Sequence, residues 1–126
     1  MKKAIHPKNS ARPIAPYTPA IDAGGFVFLS GQIALDPATG ELRTASIDEE
    51  TRQVMSNLGT LLKAADLGFD HLVKVTIFLS DMAHYARVNE IYGSYFSSDP
   101  PAREAVAVKE LPRKVNVEIS AIAWRG

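Results

Sequence analysis

The chain contains no cysteine, which excludes disulfides, Cys-ligated zinc or iron–sulfur sites and any thiol nucleophile. Excess charge is missing too: 14 Lys and Arg stand against 14 Asp and Glu. A general nucleic-acid or anionic-membrane binder carries a basic surplus, so balanced charge argues against both. No apolar run approaches the ~20 residues that span a bilayer. The basic start Met1-Lys2-Lys3 is followed by Pro7, Pro13, Pro16 and Pro19, which interrupt the apolar stretch a signal peptide needs. The expectation is a cytoplasmic protein. Dinucleotide-binding glycine patterns, phosphate loops, His-Glu-x-x-His helices and Gly-x-Ser-x-Gly elbows are absent. His6, His71 and His84 are scattered without a second ligand at metal spacing, so no metal is expected.

What remains is an ordinary globular composition, 46% hydrophobic and 22% charged, in 126 residues. That length suits one domain, 1–126, able to bury roughly two thirds of its unfolded surface without covalent staples. Residues 6–19, with four prolines and Lys8, Asn9, Ser10 and Arg12, read as an extended lead-in. Gly24-Gly25 between Ile21 and Phe26-Val27-Phe28-Leu29 predicts a hairpin. Asp36-Pro37-Ala38-Thr39-Gly40 reads as a loop.

Ser46 is a candidate N-cap with Glu49 completing a capping box. Ile47, Val54, Leu58, Leu61, Leu62 and Ala65 then recur at helical spacing. Glu50, Arg52, Gln53, Asn57 and Lys63 fall on the other side, and Gly68 is the expected stop, giving a helix over about 47–66. Val73, Val75, Ile77 and Leu79 alternate with Lys74, Thr76 and Phe78 as a strand does. Asp81 can cap a second helix with Tyr85, Val88, Ile91, Tyr92, Tyr95 and Phe96 inward, ended by Pro100-Pro101. Strands over 103–109 and 115–124 close the chain.

The predicted order is β-β-α-β-α-β-β, an α+β domain with two amphipathic helices on one face of a sheet. The second face is expected to carry Thr76, Phe78, Arg103, Ala105, Ala107, Glu118, Ile122 and Trp124. Such a mixture fits association with another subunit, or a partly solvated face with stray apolar residues.

Two features bear on chemistry. Ser30-Gly31-Gln32 ends a strand where a missing Cβ permits close ligand approach, and it equally fits a β-bulge. Arg103 and Glu118 lie in strands adjacent in sequence. An arginine fork suits a ligand carboxylate and a nearby glutamate can deprotonate water. A cross-strand ion pair is the other reading of the same two residues.

The chain resembles the Rid family, also called YjgF/YER057c/UK114, over almost its whole length. The resemblance rests on Ala15-Pro16-Tyr17, Leu29-Ser30-Gly31-Gln32-Ile33, Pro37-Ala38-Thr39-Gly40, Val73-Lys74-Val75-Thr76-Ile77-Phe78, Val88-Asn89-Glu90-Ile91-Tyr92, Pro101-Ala102-Arg103, Leu111-Pro112 and Val117-Glu118-Ile119-Ser120-Ala121-Ile122-Ala123. It implies a chorismate-mutase-like α+β fold with a mixed sheet, assembled as a homotrimer around a central barrel with intersubunit clefts. The implied activity is cofactor-free hydrolysis of 2-imino acids, such as 2-iminobutanoate and 2-iminopropanoate, to 2-keto acids and ammonia. By position, Arg103 would grip the substrate carboxylate, Glu118 would handle the attacking water, and Tyr17 would line the cleft. Ser30, Gly31 and Asn89 match positions around the pocket.

Ala105 is the departure, because many family members have cysteine there. If that residue serves by its backbone and small volume, alanine preserves the site. If the thiol tunes specificity or reactivity, the chain acts differently or is a non-deaminase member, such as a non-catalytic trimeric binder of small carboxylates or a regulatory module. Ribonuclease or translation-inhibitor activity is a third reading, opposed by the zero net charge and the lack of a basic stripe.

Overall fold

In the computed structural model, which describes residues 1–8, 13 and 15–126, Gly24 and Gly25 adopt φ of 64° and 95°. Successive positive φ values make a tight turn whose twist suits a hairpin, here joining β2 (Ala20–Ala23) to β3 (Phe26–Gln32). A further strand, β1 (Lys3–Ile5), pairs antiparallel with β2. It was not expected: three residues hold too little alternation to be read without the strand that templates them. Asn9, Ser10 and Arg12 of the expected lead-in lie outside the described residues.

The chain continues through α1 (Ile47–Ala64), β4 (Leu72–Leu79), α2 (Tyr85–Gly93), β5 (Ala102–Ala107) and β6 (Val117–Trp124). The sheet order is β1-β2-β3-β6-β4-β5. All pairings are antiparallel except β4 with β5, which are parallel and joined through α2. The domain is thus a mixed sheet with two helices on one face, as the alternating pattern predicts.

Ser46 caps α1 by accepting the Glu49 amide at 3.1 Å, and Asp48, Glu49 and Glu50 place negative charge at the positive end of the helix. Val54, Met55, Leu58, Leu61 and Leu62 of α1 are buried against Val75, Ile77 and Leu79 of β4 and Val117, Ile119, Ala121 and Ala123 of β6. Each large side chain so buried contributes roughly 1.5–3 kcal/mol, so this layer decides the docking of the helix. Exposed ion pairs such as Arg87 with Asp48, which link α2 to α1, only refine its direction.

Four expectations are corrected by the coordinates. The helix leaves through Asp66, at φ 61°, rather than at Gly68, because Asp tolerates the left-handed region. Val73 is exposed, since a register shift between Leu72 and Lys74 puts Leu72 inward instead. Asp81 caps a 3-10 turn, Met82–His84, and α2 ends at Gly93, with Tyr95 and Phe96 packing on Phe69 beyond it. Glu50, assigned to the polar side of the first helix, is completely buried.

The Glu50 carboxylate accepts the backbone amides of Asn116 at 2.7 Å and Val117 at 2.9 Å, and the Asn116 side-chain amide at 3.0 Å. Three donors satisfy a buried charge that would otherwise be costly. This contact fixes where β6 begins beneath α1. Glu50→Ala leaves two backbone donors unpaired and a cavity beside them. The expected loss is about 2–4 kcal/mol of unfolding free energy, read as a lower urea midpoint at unchanged m.

Candidate active site

The sheet's open face, away from the helices, displays Phe26, Phe28, Val106 and Trp124, each 44–51% exposed. The pairings Phe26↔Trp124, Phe28↔Ile122 and Phe78↔Glu118 place these side chains with Glu118 on that face. Phe26 and Trp124 stack with ring centroids 6.3 Å apart.

Glu118 stands over the end of β3. A Cβ built on Gly31 would lie 3.0 Å from the Glu118 Cδ and closer still to Oε2, so any side chain at 31 would displace this carboxylate from its position. Ser30 and Gly31 sit in a register shift between Leu29 and Gln32. The bulge and the close approach, alternatives in the sequence, are one feature: the extra residue turns Gly31 toward Glu118. The Ser30 hydroxyl donates to the Thr18 carbonyl at 2.6 Å, and the Ser30 amide to that of Pro19 at 2.9 Å. These bonds hold the segment bearing Tyr17 against β3. Tyr17 is half exposed and shares with Gly31, Gln32, Asn57 and Arg113 a cavity of about 470 Å³. Among the described residues no hydrogen bond or ion pair reaches the Glu118 carboxylate, and burial pushes its pKa above the ordinary value.

Arg103 lies elsewhere. The expectation put Arg103, Ala105 and Ala107 on the face of Glu118 and made β5 and β6 spatial neighbours. Instead β4 separates those strands, and the pairs Val75↔Arg103, Ile77↔Ala105 and Leu79↔Ala107 turn all three residues toward the helices. Parity within a strand is legible in sequence, whereas its phase against a neighbour depends on which strand that neighbour is. The cross-strand ion pair is therefore not formed within one chain.

Beneath α2, Arg103 Nη1 donates to Asn89 Oδ1 at 2.5 Å and Nη2 donates to the Tyr85 hydroxyl at 2.9 Å. Its Cζ lies 5.6 Å from the Tyr85 ring centroid and 5.2 Å from that of Tyr92. All these partners are neutral, and among the described residues no carboxylate pairs with Arg103. The guanidinium is oriented yet keeps its charge and a free edge for an anion, with Ala105 two residues along the same face. Burial pushes the Tyr92 hydroxyl pKa up, opposed by the nearby Arg103 charge, and that hydroxyl has no hydrogen-bond partner among the described residues. Tyr92 is buried in the core as its apolar spacing predicts, whereas Tyr85, expected inward, is partly exposed. Their spacing from Asn89, four before and three after, is the signal that places all three on one stripe of the helix.

Among the described residues no group of three His, Cys, Asp or Glu side chains is gathered as a metal site, and no helix is long and apolar enough to cross a membrane. The chain thus places two groups on opposite faces of its sheet: an arginine with no acidic partner among the described residues, and a partly desolvated carboxylate over a glycine. The fold is a small α+β domain with a mixed six-stranded sheet and two helices on one face. The chain belongs to the Rid/YjgF family, whose model, described as Endoribonuclease L-PSP, matches residues 7–125.

A RutC family protein from Pyrococcus horikoshii is 46% identical over 125 residues, covering 99% of this chain and 99% of the relative. The 2-iminobutanoate/2-iminopropanoate deaminase of Mus musculus is 42% identical over 126 residues, covering 100% of this chain and 93% of the relative. A Rid-family crystal structure from Yersinia pestis has a TM-score of 0.94 at 40% identity, covering 98% and 99% of the two chains. E. coli TdcF, solved with bound serine, has a TM-score of 0.92 at 35% identity, again covering 98% and 99%.

Asn89→Asp would set a carboxylate against Arg103 and occupy its free charge from within. Thermal stability should hold or rise, while affinity for a small carboxylate such as 2-ketobutyrate falls at least about tenfold by calorimetry. For Glu118, a raised folded-state pKa means that the folded protein binds more protons, so stability falls as pH rises through that pKa. Glu118→Gln should therefore raise Tm at pH 7, and the gain should vanish below the ordinary carboxylate range near 4.5.

Proposed function

We propose that the protein hydrolyses 2-imino acids, such as 2-iminobutanoate and 2-iminopropanoate, to 2-keto acids and ammonia. The observation that carries this reading is Arg103, held by Asn89, Tyr85 and Tyr92 with no acidic partner among the described residues. A half-buried, pre-oriented guanidinium without a counter-charge is built for the carboxylate that every 2-imino acid carries. The mouse deaminase resemblance and the serine-bound relative support the same substrate chemistry.

A protonated imine carbon is already electrophilic, so the site needs to bind, orient and deliver water. Arg103 holds the carboxylate. Glu118 takes a proton from water as its oxygen attacks the carbon of the protonated imine, then returns that proton to the amine nitrogen of the carbinolamine; the C–N bond breaks to release ammonia while the hydroxyl loses its proton to solvent, leaving the keto group. Burial raises the Glu118 pKa and makes it a stronger base than a solvated carboxylate. Tyr17 closes the pocket, while Ser30 and Gly31 shape the wall beneath Glu118.

Because Arg103 and Glu118 face opposite sides of one sheet, a complete site takes them from two neighbouring copies. The apolar open face supports a homotrimer whose sheets turn inward around a barrel, leaving a cleft at each seam. The lack of a thiol at Ala105 is compatible with a reaction that uses only water, an arginine and a carboxylate.

The test uses imine generated in place by an amino-acid oxidase and trapped by semicarbazide. Arg103→Ala should lower kcat/KM for imine loss by about a hundredfold or more, and an unchanged rate overturns its role. Trimers reassembled from equal parts Arg103→Ala and Glu118→Gln should recover activity in roughly a quarter of their clefts, the random-pairing fraction for a site drawn from two copies. No recovery overturns the shared site. Carboxylate binding without turnover would favour the non-catalytic alternative.

A further inference from the structure

The Tyr85 hydroxyl helps hold Arg103 but is given no contact with the substrate in the proposed reaction. It lies at the first residue of α2, directly after the turn capped by Asp81, whose carboxylate accepts the Ala83 amide at 2.8 Å. The residue is 37% exposed, far from the burial that its place in the apolar pattern suggests. Its oxygen accepts from Arg103 Nη2, and a phenol that accepts one hydrogen bond still carries a proton to donate. That proton has no acceptor recorded among the described residues.

Asn89 and Tyr85 together engage one N–H on each terminal nitrogen of the Arg103 fork, leaving the other N–H groups for a ligand. The two contacts differ in what they offer beyond the arginine. The Asn89 oxygen only accepts, whereas the Tyr85 hydroxyl can pass a donor on to whatever sits on the guanidinium.

We propose that Tyr85 is a positioning and affinity-determining residue for the substrate carboxylate: its hydroxyl fixes the Arg103 fork and donates a further hydrogen bond to the bound carboxylate. The inference rests on Arg103 being the carboxylate grip of the proposed deaminase, but it concerns binding and does not require turnover. A carboxylate has acceptor sites beyond the two that a guanidinium fork fills, so a third donor at the rim adds affinity without touching the reacting carbon. The effect belongs in ground-state and transition-state binding alike.

Tyr85→Phe removes the hydroxyl and keeps the ring over Arg103. In the full-length protein, KM for imine loss should rise about five- to tenfold with kcat unchanged, and the Kd for 2-ketobutyrate should rise in parallel. The Tm should stay within a degree or two, since the position is partly solvated. Wild-type turnover with equal KM and Kd in the variant overturns the role of Tyr85 and leaves the deaminase reading standing. So does a fall in kcat that tracks a lower Tm, which marks a merely structural contact. A wild type that binds 2-ketobutyrate without hydrolysing imine, with weaker binding by Tyr85→Phe, supports Tyr85 and overturns the deaminase. Neither turnover nor binding in the wild type overturns both.

Discussion

The buried carboxylate of Glu50 is the contact on which the rest of the domain depends. It takes the amides of Asn116 and Val117 where β6 starts, tying the first turn of α1 to the central strand of the sheet. A strand's facing repeats every two residues, so fixing its first residue fixes every side chain after it. Val117 goes inward, Glu118 outward, and the alternation runs on to Trp124. One misplaced residue would send Glu118 into the core and Ile119 to the open face. The helix cap, the apolar layer and this ion–amide contact therefore act on the same outcome, the position of one carboxylate over Gly31.

A second constraint governs the arginine half. β5 joins the sheet as a parallel edge strand beside β4, with α2 spanning the connection. This arrangement lays α2 over the edge and brings Tyr85, Asn89 and Tyr92 above Arg103. The arginine is packed without being neutralised. A structural arginine in such a place would be expected to find an acidic neighbour, because an unmatched charge near an apolar layer is disfavoured. Holding it with an amide, a phenol and two aromatic faces preserves geometry while leaving the charge for a ligand. The same sheet thus keeps Arg103 and Glu118 on opposite faces, with an exposed apolar patch on the side of Glu118.

Much of this was legible residue by residue. The hairpin at Gly24-Gly25, the start of α1 at Ser46, the inward face of β6 and the glycine at 31 follow from turn chemistry, capping and periodicity. The failures share a cause. Glu50 was placed with solvent because helical periodicity carries no information about a strand end waiting for an acceptor. Val73 was placed inward because a bulge is a property of two strands. The spacing of Tyr85 reads as core because an aromatic at apolar spacing looks the same whether it meets leucines or an arginine.

The sequence by itself determined the element types, the two amphipathic helices, the absence of thiol chemistry and, through family resemblance, which residues to watch. Local forces suffice for those: propensity, capping and the period of apolar side chains are written into short windows of chain. Only the tertiary structure decided that Arg103 and Glu118 face opposite sides, that Glu118 lies desolvated over Gly31, and that Arg103 has neutral company. Those outcomes depend on which strands pair and in what register, and pairing is settled by burying the whole apolar layer at once rather than by any segment alone.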